Sequence, residues 1–154
     1  MTSLQELSDI EAIKQLKARY CLLLDAQDWE AFAALFTPDA AFDIDGAKYA
    51  STRAFVGDIS VGLAGELHMH IAHMPIIEIT GSDSARGLWS FTNQTAGGHY
   101  QEGYVRDGDG WRIAAMTMTW ITAPSEELRT ARKGQFGPVG PTWRTLAGAW
   151  GRPG

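Results

Sequence analysis

Three of the four histidines lie in one apolar stretch, Glu66–Ile79, which reads ELHMHIAHMPIIEI. In an extended strand successive side chains alternate between the two faces, so His68 and His70 face one side and His73 faces the other. A strand that only packs against a core has no need of imidazoles. Because imidazole exchanges a proton near neutral pH, we take His70 as the candidate for proton chemistry in a pocket.

A carboxylate and a phenol are suitable partners for such a base. Asp25 follows the apolar run Cys21–Leu24, and Tyr20 precedes that run. An aspartate beside an imidazole fixes one tautomer and stabilises the imidazolium that forms on proton abstraction. A buried tyrosine can donate a hydrogen bond to a carbonyl or to a departing oxygen. Tyr20 and Asp25 do not share a face of an ideal helix, so spacing leaves open whether Asp25 turns inward or merely starts the next turn.

A metal site is the second interpretation of the histidines. His68 and His70 share a face, and a carboxylate could complete a facial set of ligands. No nearby motif supplies the remaining ligands, and His73 faces away. We therefore expect no metal.

The candidates for substrate binding are mostly aromatic or apolar. Met118 and Trp120 lie on one face of the last predicted strand, and such a stripe is either core or the wall of an apolar pocket. Asn93 is an amide among aromatic residues, either a satisfied core amide or a hydrogen-bonding group for a ligand. The full set of candidates is Asn93, Trp120, Met118, Tyr100 and Tyr49.

The composition argues against several classes of function. The chain has 154 residues, enough for one domain with a sizeable core, and a formal net charge of -5. This negative balance argues against a nucleic-acid surface or binding to an anionic membrane. With Cys21 as the single cysteine, no transmembrane run and no secretory signal, we expect a soluble, cytoplasmic protein. Motifs for a serine nucleophile, a phosphate loop or a dinucleotide are lacking.

The N-terminal region is predicted to be an amphipathic helix. Ser8 and Glu11 form a capping-box pattern, and apolar residues recur from position 10 to position 24 at helical spacing. The charged side chains placed on its wet side are Lys14, Lys17 and Arg19.

Two shorter helices and a hairpin are predicted next. The second helix begins at the N-cap Asp28 and runs to Thr37. Asp45 and Gly46 mark a type I′ turn between two short strands. Ser51 or Thr52 caps a third helix, which ends in the glycines near residue 62.

Four strands are predicted to follow: the histidine run, Ser84–Thr95, His99–Arg106 and Trp111–Ala123. Strict alternation along the first strand puts Ile76 on the side of His70 and Ile77 on the other. Helices followed by an antiparallel meander predict an α+β fold with the helices packed on one face of the sheet.

The character of the chain changes at Pro124, and glycine and proline are frequent after Gly134. We predict a domain of residues 1–123 and a C-terminal extension of residues 124–154, with a helical turn or two in Glu126–Lys133. The extension is either a loosely ordered tail or a cover for the open end of the sheet or a neighbouring subunit. Its large aromatic residues are Phe136, Trp143 and Trp150.

From residue 9 to about residue 127 the chain resembles the nuclear-transport-factor-2-like superfamily, in its SnoaL-like branch. The segments that carry the resemblance are DIEAIKQLKARYCLLLDAQDWEAFAALFTPDA, MHIAHMPIIEI, ARGLW and GYVRDGDGWRIA. The chain is similar to bile-acid 7-alpha-dehydratases and, more distantly, to scytalone dehydratase and the lindane dehydrochlorinases. The resemblance implies a cone-shaped α+β roll with an internal apolar pocket and a cofactor-free elimination that begins with removal of a proton.

Carried over position by position, the catalytic Tyr, Asp and His of these enzymes fall on Tyr20, Asp25 and His70. Asn93 stands where the dehydratases have a second Asp, and Trp120 stands where they have an Arg. The resemblance therefore implies a retained base and a neutral, aromatic or polycyclic substrate.

We expect a cofactor-independent lyase that eliminates water, or formaldehyde from an aryl diol, from a hydrophobic hydroxylated small molecule. The alternatives are an isomerase or cyclase of a steroid- or polyketide-like substrate, and a non-catalytic ligand-binding protein. The resemblance also implies a homo-oligomer formed through the exposed face of the sheet.

Overall fold

The chain forms one six-stranded sheet, with helices before, between and after its strands in the sequence. The computed structural model describes residues 1–94, 96–108, 110–123, 125–127, 130 and 141–152, with the backbone alone at 142 and 143. Within these ranges no helix is both long and apolar enough to span a membrane. The elements are α1 Leu4–Ala26, α2 Trp29–Ala33, β1 Phe36–Ile44, β2 Ala47–Tyr49, α3 Thr52–Gly62, β3 His70–Gly81, β4 Ser84–Asn93, β5 Ala96–Asp107, β6 Gly110–Thr122 and α4 Pro141–Trp150.

The strands form one curved, open sheet in the order β2-β1-β6-β5-β4-β3. β3 to β6 follow one another as the predicted meander, and α1 lies against β3 and β6. The predicted α+β class with helices packed on the sheet is confirmed. The predicted meander is antiparallel throughout, and β1 is added beside β6 and runs parallel to it, so the sheet as a whole is mostly antiparallel.

The start of α1 differs from the prediction. Ser3 is the N-cap: its hydroxyl accepts a hydrogen bond from the Glu6 amide at 3.1 Å, and its own amide donates to the Glu6 carboxylate at 2.6 Å. The capping box predicted at Ser8 is therefore wrong. An equivalent pair of residues, five positions earlier, already satisfies the first amides of the helix.

Asp9, at the predicted start, instead fastens α1 to the end of the sheet. It is buried and accepts hydrogen bonds from the Trp111 indole at 3.0 Å and from Arg106 at 2.9 Å. These partners flank the β5–β6 turn. The clamp that Asp9 forms with Trp111 and Arg106 therefore sets where α1 crosses the sheet.

The second helix is shorter than predicted. Asp28 caps it as expected and accepts from the Ala31 amide at 3.2 Å, but the helix ends at Ala33 rather than Thr37. The Leu35 carbonyl accepts from the Ile113 amide at 3.0 Å. Pairing with the sheet therefore takes these residues away from the helix.

The predicted hairpin and third helix are confirmed. Asp45 and Gly46 have φ values of 50° and 94° between β1 and β2, as a type I′ turn requires. Ser51 caps α3 and accepts from the Ala54 amide at 3.2 Å.

A bulge in β3 reverses the predicted alternation. Met74 has a positive φ of 49°, and the pairing of β3 with β4 shifts by one residue before Ile76. Pro75 has no N–H to donate to the ladder, which favours a bulge at this place. As a result Ile76 is 60% exposed while Ile77 packs on the core, the opposite of the predicted faces.

Aromatic side chains fill much of the space between the helices and the sheet. The rings of Phe42 and Phe55 stack at 4.1 Å between centroids, joining β1 to α3. The largest buried aromatic side chains are Tyr20, Phe32, Phe36, Phe42, Phe55, Trp89, Phe91, Tyr100, Tyr104 and Trp111.

The C-terminal helix packs on α1. Ala147 is buried, and a Cβ on Gly151 would lie 2.4 Å from the Leu23 side chain, so these small residues permit a close approach. Most of the turn predicted at 126–133 and the side chains of Phe136 and Trp143 lie outside the described residues. The division at residue 123 stays a prediction.

Candidate active site

Three hydrogen bonds join Asp25 to His70. The His70 backbone amide lies 3.1 and 3.0 Å from the two carboxylate oxygens, and its ring Nδ1 lies 2.6 Å from Oδ1. Both side chains are largely buried, with 3% of Asp25 and 9% of His70 exposed. Since both carboxylate oxygens are engaged, the orientation of the imidazole is fixed.

The end of α1 and the loop before β3 bring the pair together. Asp25 lies inside the last turn of α1, so the alternative in which it merely starts the next turn is wrong. Gln27 ends the helix in the left-handed conformation at φ 55°. Its side-chain amide donates to the carbonyls of Leu63 and Glu66, each at 2.7 Å. This bridge holds the loop that leads to His70, the first residue of β3.

Asn93 lies at the other ring nitrogen of His70. The two residues are partners in the β3–β4 ladder, and the Asn93 Nδ2 is 3.1 Å from Nε2. With Nδ1–H donating to Asp25, Nε2 carries the lone pair and accepts from the amide; these proton positions follow from the partners. The result is the tautomer that a general base needs.

Tyr20 lies on the buried side of the same helix, one turn before Asp25. Its ring packs against Phe32 and Tyr100, with centroids 5.1 and 5.7 Å apart. Burial, with the neighbouring Tyr100 hydroxyl adding to it, raises the pKa of the Tyr20 hydroxyl well above its usual value. Tyr20 therefore stays protonated and can act as a hydrogen-bond donor.

Lys17 is a site residue that the sequence interpretation misplaced. It was predicted on the wet side of α1, but it is 1% exposed and its ammonium pairs with the carboxylate of Glu102. The ammonium also lies 3.7 Å from the ring centroid of Tyr20 and 3.6 Å from that of Tyr100. The spacing along α1 does indicate this burial, because Lys17 lies about two helical turns before Asp25, on the same stripe of the helix.

The network continues from Glu102 into β4. Tyr104 donates a hydrogen bond to Glu102 and accepts one from the Trp89 indole at 2.8 Å. Burial and the Glu102 charge raise the pKa of the Tyr104 hydroxyl far above its usual value. A continuous buried polar chain therefore runs from α1 to β4 behind the site.

The predicted substrate-binding residues fall into two groups. Tyr100 stacks on Phe91 at 4.3 Å and lies opposite Met118 in the β5–β6 ladder. The centroid of the Trp120 ring is 5.3 Å from that of Phe91, and Phe91 shares one face of β4 with Asn93. These residues form an aromatic wall, which Asn93, two residues after Phe91 on β4, links to His70.

Tyr49 lies apart from this wall. It is on β2, the edge strand opposite β3 in the order of the sheet. Its hydroxyl donates to Asp58, and its ring lies 5.6 Å from that of Phe55. The structure thus joins Tyr49 to α3, and the predicted contact with substrate stays a prediction.

The other strand histidines have different surroundings. The His68 ring centroid is 6.2 Å from that of His70, and its buried Nε2 has no hydrogen-bond partner in the described part of the chain. Burial and the neighbouring His70 lower the pKa of His68. His73 is opposite Ser90 in the ladder. In the described ranges no three His, Cys, Asp or Glu side chains form a group that could hold a metal.

A cavity of about 510 Å³ borders His70 between α1 and β3. This volume suits a small organic molecule. A larger cavity of about 750 Å³ lies between α1, α2 and β6, but arginines and carboxylates line it without an imidazole, so the smaller one fits proton chemistry better. The lining of the smaller cavity includes Lys17, Cys21, His70, Ala72, Pro75 and Trp89. The predicted walls Met118 and Trp120 are instead in the aromatic cluster around Phe91.

Comparisons with known proteins agree with this fold. The chain is 24% identical over 130 residues to "Probable cyclase FGR4" of Gibberella zeae, covering 69% of this chain and 87% of that protein. "Putative Scytalone Dehydratase" from Novosphingobium aromaticivorans DSM 12444 superposes with a TM-score of 0.69 at 16% identity, over 75% of this chain and 86% of that one. Hexachlorocyclohexane dehydrochlorinase LinA-type3 from Novosphingobium barchaimii LL02 superposes with a TM-score of 0.68 at 16% identity, over 81% and 95%.

These structural likenesses establish the fold rather than the activity. The SnoaL-like domain family itself matches residues 5–117, which hold the dyad, Asn93 and most of the sheet. The chain belongs to the SnoaL-like domain family and has the nuclear-transport-factor-2-like fold.

Proposed function

We propose that this protein is a cofactor-independent lyase that eliminates water, or formaldehyde, from a hydrophobic, aromatic or polycyclic hydroxylated small molecule. The observation that carries the proposal is the geometry of Asp25 and His70, with Nδ1 2.6 Å from the carboxylate and Nε2 left as the basic nitrogen. His70 borders a cavity large enough for such a substrate.

His70 begins the reaction as the general base. Its Nε2 takes a proton from a carbon beside an activating group, and Asp25 stabilises the imidazolium that results. Asn93 gives up its hydrogen bond to Nε2 when substrate arrives. Its amide has both donors and an acceptor, so it can then bind a substrate oxygen. A base of this kind is typically worth about 10²–10⁴ in rate.

Tyr20 assists the leaving oxygen. The C–H electron pair forms the new double bond, the C–O bond breaks, and the departing oxygen takes a proton from the Tyr20 hydroxyl or from the imidazolium, leaving as water. For an aryl diol with a CH2OH group, the same base takes the hydroxyl proton of that group. The CH2OH carbon leaves as formaldehyde when the C–C bond breaks, the C–C electrons form the double bond and expel the second hydroxyl, and that hydroxyl takes the proton of the imidazolium and leaves as water.

Two uncharged residues near the dyad, Asn93 and Trp120, favour a neutral substrate. Asn93 and Trp120 are uncharged where the dehydratases that this chain resembles have an aspartate and an arginine. The exposed part of Trp120, packed on the buried ring of Phe91, gives an apolar aromatic surface on the side of Asn93. An aryl or polycyclic alcohol fits this surface better than an anion does.

The names of two structural relatives, a dehydratase and a dehydrochlorinase, denote eliminations and support this class of reaction. The test is a screen of aryl and steroid alcohols and aryl diols by mass spectrometry, without added cofactor. Products lighter by water, or by water and formaldehyde, are expected. Substrates consumed without loss of mass would contradict a lyase.

An isomerase or cyclase is the second candidate, and the relative named as a cyclase favours it. Its product would have the mass of the substrate. A non-catalytic binding protein is the third, favoured by the uncharged Asn93 and Trp120. It would bind ligands with an affinity insensitive to loss of the His70 imidazole and form no product.

A further inference from the structure

Lys17 is a buried ammonium to which the proposed reaction gives no role. Its side chain is 1% exposed and paired with that of Glu102, which is fully buried. The ring centroids of Tyr20 and Tyr100 lie 3.7 and 3.6 Å from the ammonium. Its positive charge is therefore shared between one carboxylate and the faces of two phenols.

Stability alone does not account for this arrangement. Desolvation of two buried charges offsets much of their attraction, and apolar residues of similar volume often serve a fold equally well. The arrangement also binds Tyr20, which the proposed reaction uses, to the aromatic wall through Tyr100.

The charge has a chemical consequence for the phenols. A cation on the face of an aromatic ring attracts its π electrons, and a nearby positive charge favours the phenolate. The hydroxyl of such a phenol is a stronger hydrogen-bond donor. Burial, the Tyr100 hydroxyl and the charge of Glu102 act in the opposite direction and keep Tyr20 protonated, as a donor must be.

We propose that Lys17 is a positioning residue of this site: held by Glu102, its ammonium fixes the rings of Tyr20 and Tyr100 and strengthens the Tyr20 hydroxyl as a donor to the substrate. This inference rests on the lyase function proposed above. Lys17 supplies positive charge from α1, whereas β6 has the uncharged Trp120 at the position where the dehydratases that this chain resembles have an arginine.

The test compares the double variant Lys17→Met/Glu102→Gln with the wild type. Both charges are removed together, because Lys17→Met alone would leave Glu102 buried without its partner. The matched control is Arg86→Met/Glu78→Gln, which removes the exposed ion pair between β3 and β4. We measure kcat, KM, the urea unfolding midpoint and the NMR shifts of tyrosine labelled with carbon-13 at Cζ.

The double variant is expected to unfold at a similar urea concentration and to lose about tenfold in kcat with little change in KM, since a strengthened donor acts in the transition state. The Cζ resonances of Tyr20 and Tyr100 should shift because they lose the ammonium. That of Tyr104 should shift because it loses the charge of its partner Glu102, and the control should change none of these quantities. Wild-type kcat with unshifted Tyr20 and Tyr100 resonances would overturn the inference, as would a fall in kcat explained by a smaller folded fraction.

His70→Ala, assayed in parallel, separates the two proposals. If it leaves turnover intact the lyase proposal fails, while the tyrosine shifts still report whether Lys17 polarises the rings.

Discussion

Asp25 holds His70 by its backbone as well as by its ring. The two hydrogen bonds from the amide, at 3.1 and 3.0 Å, do not depend on the imidazole, whereas the one from Nδ1, at 2.6 Å, sets the tautomer. Position and protonation of the base are therefore controlled by one carboxylate. Substitutions can separate these two roles.

Asp25→Asn tests control of the tautomer. An amide oxygen can still accept from the His70 backbone, but the neutral amide no longer stabilises the imidazolium, and its NH2 group can present the wrong hydrogen-bonding partner to Nδ1. We expect kcat to fall by about 10²–10⁴ with the fold retained.

Steady-state kinetics and circular dichroism check this expectation. The matched control is Asp28→Asn, because asparagine caps a helix as well as aspartate does and Asp28 caps α2. An Asp25→Asn enzyme as fast as this control would remove the carboxylate from the mechanism.

Asn93→Asp tests the other side of the imidazole. A carboxylate about 3 Å from Nε2 favours a proton on that nitrogen, so the base would be occupied at neutral pH. Turnover near neutral pH should fall, and the pH optimum should move to higher pH.

The measurement is the pH dependence of kcat/KM. Thr92→Asp adds the same charge at an exposed position of the same strand and should leave the profile unchanged. An unaltered profile for Asn93→Asp would show that Asn93 does not approach Nε2 in solution.

Asp9→Asn tests the clamp that positions α1. Burial alone would raise the pKa of Asp9, but hydrogen bonds from Trp111 and Arg106 outweigh it and lower the pKa below its usual value. The carboxylate therefore contributes stability above the unfolded-state pKa, and that contribution is lost as the pH falls through the folded-state value. Loss of the charged partner of Arg106 should reduce the free energy of unfolding by about 1–3 kcal/mol near pH 7.

Urea unfolding at several pH values measures this difference. The gap between wild type and Asp9→Asn should narrow as the pH is lowered below about 4. A gap of constant size across that range would show that the charge of Asp9 does not stabilise the fold.

Gly98→Ala tests the close approach of β5 and β6 beside the aromatic wall. A Cβ at Gly98 would lie 1.9 Å from the Thr119 carbonyl oxygen, where no side chain fits without moving the backbone. We expect a loss of about 1–3 kcal/mol or more in the free energy of unfolding, together with a shift of Trp120.

Gly103→Ala on the same strand is the matched control, since its Cβ would meet only the Ala115 side chain, at 3.6 Å. Its unfolding midpoint should stay near that of the wild type. Equal midpoints for the two variants would contradict the tight contact at Gly98.

The sequence predicts the local features of this fold well. Helical spacing indicates α1, and Asp45 with Gly46 marks the hairpin, because both signals depend on residues near one another in the chain. Strict alternation does not predict the β3 bulge, because one left-handed residue at Met74 changes the face of every residue after it.

The contacts that make the site are less visible in the sequence. Asp25 meets His70 because Gln27 holds the carbonyls of Leu63 and Glu66, a relation that no spacing within α1 reveals. The charge of Lys17 predicts that it faces solvent, and its burial is explained by its partner Glu102, which lies far along the chain.

The central claim is that His70 is the general base, and His70→Ala tests it most directly. Its backbone amide still binds Asp25, so the fold and the binding of a substrate analogue should persist while kcat falls by about 10²–10⁴. His99→Ala, which removes an imidazole from the neighbourhood of β4 and β6 away from the dyad, should keep full activity. Turnover by His70→Ala at the rate of His99→Ala would contradict the account.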